Sequence, residues 1–162
     1  MDDLAAMDLA LEEAMAAGAD VPVGAVVVLD DKVIGRGHNA VETVGDPTLH
    51  AEMVALRQAV VAVGRNGLAR ATLFVTMEPC MMCAGAIVLC RVGRVVYGCD
   101  DPKAGAVRSL YTALSDSRLN HRCRVQPGVK AEASADLLVR FFERLRQRPR
   151  PPREADGSFP ER

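Results

Sequence analysis

Two short segments of this 162-residue chain carry side chains able to bind a metal and move a proton. They are His50-Ala51-Glu52 and Glu78-Pro79-Cys80-Met81-Met82-Cys83. One imidazole and two thiolates make a soft ligand set that suits zinc. Cys80 and Cys83 are three residues apart, so a helix puts them on one face. Pro79 fits a first helical position. That placement sets Cys80 among unpaired backbone N–H groups at the positive end of the helix dipole, which favours the thiolate. Three protein ligands leave the fourth tetrahedral position of Zn2+ open to water, the mark of a catalytic rather than a structural site. Glu52 follows His50 by two residues, which on a straight helix turns it about 200° away. Helix starts are rarely straight, and a carboxylate beside the metal but not on it can take a proton from water and hand it to a leaving group.

The elements that must hold these residues can be read from spacing. Leu4, Met7, Leu11 and Met15 mark a first helix capped by Asp3 and closed at Gly18. Val23–Leu29 and Lys32–Gly37 form a hairpin about Asp30-Asp31, its first strand apolar on both faces and hence buried. Asp46-Pro47-Thr48 opens a helix that runs to about Val63 and carries His50 and Glu52. Ala71–Met77 is a strand, Glu78-Pro79 begins a helix to about Cys90, and Arg94–Gly98 is another strand. A short helix is expected at Ser109–Leu114 and a last strand at Arg122–Val125. Glu132–Arg148 is a helix with the apolar stripe Leu138, Phe141, Phe142 and Leu145, stopped by Pro149, Pro151 and Pro152. Strands alternating with helices after a hairpin imply an α/β domain with a mixed sheet covered on both faces. Residues 1–148 form that domain, and 149–162 are expected to be a disordered tail.

Each chemical segment alone is weak, since Cys-x-x-Cys also serves redox and structural sites. Together, as H-x-E and P-C-x-x-C, they are the signature of the zinc deaminases. The chain resembles the bacterial tRNA adenosine deaminases of the TadA type, within the cytidine deaminase superfamily. The likeness covers roughly residues 3–148. It includes Val21-Pro22-Val23-Gly24-Ala25-Val26, Asn39, Asp46-Pro47-Thr48, Thr76-Met77, Gly93–Gly98, Ser109-Leu110, Leu119-Asn120-His121-Arg122, and Phe141-Phe142 followed by Arg144. The resemblance implies a three-layer α/β/α fold around a five-stranded mixed sheet, a homodimer, and conversion of the wobble adenosine of a tRNA anticodon to inosine. It implies His50, Cys80 and Cys83 as zinc ligands, Glu52 as the proton shuttle and Asn39 as the residue that hydrogen-bonds the base. It also lifts Asn120, His121, Arg122, Phe142 and Arg144 towards contact with an anticodon stem-loop. Two features depart from the pattern. Arg108 stands where a small residue is expected, and Asp100-Asp101 make the adjoining loop acidic.

Composition narrows the alternatives. Apolar residues make up 49% and charged residues 25%, which excludes disorder throughout. No run reaches the roughly 18 apolar residues needed to cross a bilayer, and the acidic start is not that of a signal peptide, so a cytoplasmic location is expected. Five cysteines in a chain of this length are not a disulfide framework. The net charge of −1 hides an asymmetry: residues 1–117 hold 9 basic against 15 acidic side chains, and residues 118–153 hold 10 against 3. Arg140, Arg144 and Arg148 recur every fourth residue along one helix face, which is either solvated surface or a stripe for phosphates. The apolar helix Met81–Leu89 has no charge and is expected to be buried all round. Cys90, Cys99 and Cys123 read as packing thiols, His38 as structural, and His121, by residue type alone, as solvated. The competing functions are a deaminase of free guanine, cytosine or a nucleoside, and a zinc-stabilised binding module. Glu52 argues against the second, because a closed structural site has no use for a carboxylate shuttle.

Overall fold

The computed structural model describes residues 1–147; Arg148, the three prolines and the tail 149–162 lie outside the described residues. The elements run α1 (Asp3–Met15), β1 (Gly24–Leu29), β2 (Lys32–His38), α2 (Val41–Val44), α3 (Ala51–Gly67, broken at Gly64), β3 (Thr72–Met77), α4 (Met81–Leu89), β4 (Arg94–Cys99), β5 (Arg124–Gln126) and α5 (Ala131–Gln147). The five strands form one mixed sheet in the order β2-β1-β3-β4-β5. β1 is antiparallel to both its neighbours, while β3, β4 and β5 are parallel. Asp30 and Asp31, both at positive φ, make the tight turn that pairs Leu29 with Lys32.

Alternation along the buried strands divides the core into two layers. Val26, Val28, Phe74 and Val96 meet Ala6, Met7 and Ala10 of α1. Ala25, Val27, Leu73, Val75 and Val95 face the opposite way and meet Ala55 and Ala59 of α3 and Ile87 of α4. α5 packs on β4 and touches α1, completing the α/β/α arrangement. Two contacts are so close that only glycine fits. A Cβ on Gly24 would overlap the backbone of α1 at Ala10 and Ala14, and one on Gly35 or Gly37 would overlap that of α3 at Ala55 or Ala51. Among the described residues no helix is long and apolar enough to cross a membrane.

Several boundaries differ from the sequence reading, each for a local reason. Asp2, not Asp3, caps α1, accepting from Ala5 N at 2.8 Å. Asp3 instead meets the Arg94 guanidinium in a two-point pair at 2.7 and 2.6 Å. α3 begins at Ala51 rather than near Pro47, because Asp46 Oδ1 draws Thr48 N and Thr48 Oγ1 into a turn. The expected helix at Ser109–Leu114 shrinks to a single 3-10 turn at Ala113–Ser115. Ala113 N, which a helix would point at Ser109 O, goes to Ala106 O at 3.0 Å instead. α4 is not buried all round: Met81 is 48% and Leu89 74% exposed, since among the described residues no element covers its outer face.

The turn α2 was not legible beforehand, and its anchor is a buried acid. Asp20 accepts from Glu42 N at 2.6 Å, Thr43 N at 3.1 Å and Thr43 Oγ1 at 2.6 Å. Burial pushes its pKa up, but these hydrogen bonds outweigh it and hold the carboxyl below its usual value. Its stabilising effect is therefore full above the ordinary aspartate range and fades as the pH falls through the lowered native value. Asp20→Asn should lower stability by about 1–3 kcal/mol at pH 7. Urea denaturation should show the gap from the unsubstituted chain narrowing as the pH falls below the ordinary aspartate range.

Candidate metal centre and active-site pocket

His50 and Cys80 occupy equivalent positions at the starts of two helices. The carbonyl of His50 accepts from Val54 N at 3.1 Å and that of Cys80 from Ala84 N at 2.8 Å, so each is the N-cap of its helix. Cys80 has extended backbone angles, and Pro79 therefore precedes the cap instead of opening the helix. Cys83 follows in the first turn of α4. The expected face-sharing of the two cysteines is thus kept with the helix start shifted by one residue. An N-cap side chain is not bound to the helical direction, which removes the obstacle posed by the His50–Glu52 spacing.

The Nδ1 atom of His50 lies 3.6 Å from Cys80 Sγ and 3.6 Å from Cys83 Sγ. All three ligand atoms lie within 4.8 Å of one another. A tetrahedral ion about 2.1 Å from nitrogen and about 2.3 Å from sulfur separates N and S by about 3.6 Å, so the donor set fits zinc. A hydrogen bond with Cys83, aided by His50, lowers the Cys80 thiol from its ordinary 9.0 to about 4, although burial opposes it. The same hydrogen bond, with burial, pushes the Cys83 thiol up. His50 is raised by its hydrogen bond with Cys80. Binding of a metal by both sulfurs displaces the proton that the hydrogen bond between them holds.

Glu52 is 4% exposed and sits in the first turn of α3. Burial raises its carboxyl to about 7, with the Cys80 charge adding to the effect and His50 opposing it. A carboxyl in that range can both take and give a proton near neutral pH. Asn39, just after β2, accepts from Ala51 N at 2.9 Å, satisfying the first free N–H of α3 beside His50.

These groups open onto one pocket of about 300 Å³. Asn39, His50, Glu52 and Cys80 line it, with Val41 and Glu42 of α2 on one side and Asp101 and Ala104 on another. Sequence reasoning missed the contributions of Asp20 and Glu78, which reach their partners over 22 to 31 residues of chain. Asn120, His121, Arg122, Phe142 and Arg144 do not line the pocket. His121 is not simply solvated: its Nε2 lies 2.8 Å from the carbonyl oxygen of Val92, beyond the C-terminal end of α4, whereas Cys80 caps the N-terminal end. Phe142 is 42% exposed and stands edge-on to Phe141, and Arg140 and Arg144 are exposed. His38 pairs with Glu13 at 3.1 Å, the structural role expected of it. One of the two acids of the loop is paired with a cation within it, and the other binds its backbone. Asp100 meets Arg108 at 2.9 and 2.7 Å, and Asp101 Oδ1 accepts from Lys103 N and Ala104 N. The two departures from the family pattern thus answer one another.

The profile of the MafB19-like deaminases matches residues 1–146. A tRNA-specific adenosine deaminase of Streptococcus pyogenes serotype M1 is 47% identical over 130 residues, covering 80% of this chain and 76% of the relative. A solved structure from a study of A-to-I editing by tRNA:A34 deaminases at the wobble position superposes with a TM-score of 0.78 at 44% identity, over 83% of this chain and 99% of that one. A guanine deaminase from Bacillus subtilis is 38% identical over 62% of this chain and 66% of its own, with a TM-score of 0.58.

The unequal thiols offer a direct check. In protein stripped of metal by a chelator, iodoacetamide at about pH 6 should alkylate Cys80 and spare Cys83, as read by peptide mass spectrometry. Equal labelling of both would contradict the proton arrangement described.

Proposed function

Because the chain belongs to the MafB19-like deaminase family and, by its relatives, to the tRNA-specific adenosine deaminases, we propose that it hydrolyses the wobble adenosine of a tRNA anticodon to inosine, with release of ammonia. The observation that carries this reading is the cluster of His50, Cys80 and Cys83 at the edge of a pocket that His50, Cys80 and the buried Glu52 line. Zinc is the ion whose geometry suits these ligands, and when bound it supplies a Lewis acid that makes water nucleophilic at neutral pH. Glu52 takes one proton from the attacking water and passes it to the ring nitrogen, then takes the remaining proton of the newly added hydroxyl and gives it to the departing amine, so that the carbonyl of inosine and ammonia form together. Asn39 contacts the purine, its side-chain oxygen being already engaged with Ala51 N. A pocket of about 300 Å³ admits one base rather than a stretch of stacked nucleotides, so the target must leave the stack to react.

The other RNA-binding residues fall outside the pocket. Asn120, His121 and Arg122, with Phe142 and Arg144 of α5, bind the anticodon stem-loop around the reacting base. Exposed Met81 and Leu89 on α4 and Val61 on α3 form the apolar face through which two copies associate as a homodimer. The protein works on tRNA in the cytoplasm.

The deciding experiment presents purified protein with an anticodon stem-loop bearing a wobble adenosine, and separately with free guanine, cytosine and nucleosides. Inosine in the stem-loop alone supports the reading, and turnover of the free bases alone would replace it. Elemental analysis should find one zinc per chain, and Cys83→Ala should lose it. Glu52→Ala should keep fold and zinc but lose about 10²–10⁴-fold in turnover. The double change of Arg140 and Arg144 to Ala should weaken tRNA binding and reduce its salt slope by about one unit for each phosphate that the stripe neutralises.

A further inference from the structure

Glu78 is a buried acid beside the metal ligands that the deamination chemistry does not use. Its carboxylate accepts five hydrogen bonds, all from the loop that follows β4. Oε1 accepts from Val107 N at 3.1 Å, Arg108 N at 2.7 Å and Ser109 N at 2.9 Å. Oε2 accepts from Asp101 N at 3.0 Å and from Ser109 Oγ. A Cβ on Gly105 would overlap both this carboxylate and the Asp101 carbonyl, so the loop is drawn in as far as a backbone can come. The same stretch is stitched to the approach to α4, through a bridge between Gly105 and Cys80 and through Ala106 N to Pro79 O at 2.8 Å. From outside, the Asp100–Arg108 pair closes the loop at its two ends.

This loop is not remote from the reaction, because Asp101 and Ala104 line the pocket. We propose that Glu78 is a positioning residue: it holds residues 101–109 as a preformed wall of the pocket, against which the target base is seated, and it touches no reacting atom. The proposal rests on the deaminase reading of the pocket. A carboxylate is the group the arrangement requires, since all five partners are donors and only an ionised acid offers acceptors on both atoms. An amide in its place turns an N–H₂ towards either Asp101 N or the three amides from Val107 to Ser109.

The test is Glu78→Gln, with Ser109→Ala as a milder variant that removes one of the five bonds. In Glu78→Gln, zinc content should stay at that of the unsubstituted protein. Amide exchange should speed up by about tenfold or more at Asp101 and Val107–Ser109, while the amides of α3 stay slow. KM for the anticodon stem-loop should rise about tenfold with kcat changed much less, because the wall acts in binding and not in proton transfer. Ser109→Ala should move exchange and KM the same way by a smaller factor, and the two changes together should fall short of the product of their separate effects. Fast loop exchange with an unchanged KM would overturn the proposal and leave Glu78 a purely structural acid. Unchanged loop exchange would equally overturn it, as would loss of zinc together with rate. If Glu78→Gln does not fold, Ser109→Ala decides by the same readouts. Failure of the unsubstituted protein to convert the stem-loop would overturn the deaminase reading instead, and amide exchange, which needs no substrate, would still judge the clasp.

Discussion

The sulfur atoms of Cys80 and Cys83 must each be brought within 3.6 Å of the His50 ring nitrogen, and the fold achieves this by aiming two helix N-termini at the same point. Each terminus contributes unpaired N–H groups and the positive end of a dipole, which favour anionic ligands. Bringing two such ends together without an anion between them is unfavourable, so thiolates or a carboxylate are needed there as much as the chemistry needs them. The sheet supplies the geometry. β3 runs directly into α4 through Glu78-Pro79, and the hairpin β1–β2 delivers Asn39 to the start of α3. The site then lies at the carboxyl end of the parallel strands, where open α/β sheets generally place ligands.

The metal ligands and Glu52 were legible in the sequence because their relation is local: a residue type, a spacing of three, and a helix start nearby. The position of each start was less legible. Treating His50 as helical made Glu52 point the wrong way, whereas its true place as the N-cap frees the imidazole from the helical direction. The strands were legible to within about one or two residues because β-branched runs and turn residues mark them. What escaped was held by bonds between residues far apart in the chain. Ser109 and Glu78 are 31 positions apart, and Thr43 and Asp20 are 23. No periodicity announces such a clasp, and the helix expected at Ser109–Leu114 failed because Ala113 N has its partner outside that span, at Ala106 O.

The pocket therefore has two walls of similar construction. α2, four residues long, buries no side chain of its own, and of residues 101–109 only Ala106 and Val107 reach the core. Each is tied by one buried carboxylate whose oxygens are filled with backbone donors. Charged acceptors make stronger hydrogen bonds than neutral ones, so a single acid can organise several peptide groups. The wall after β4 consequently keeps its shape while carrying Asp100 and Arg108, paired with each other, and Asp101, whose carboxylate binds the backbone of its own loop.

The glycines of β2 have a further consequence. Gly35 and Gly37 let the backbone of α3 lie directly on the hairpin, with no side chain between them. Packing of this kind does not yield gradually: a single methyl group there must lift the helix or bend the strand. The parts of α3 resting on Gly37 are Val54, Ala55 and Ala51, the last of which stands between His50 and Glu52. Any displacement at the hairpin is thus passed without slack to a ligand and to the proton-carrying acid at once. Neither glycine borders the pocket, yet for a chain that drifts by random substitution, these two positions tolerate as little change as the site itself.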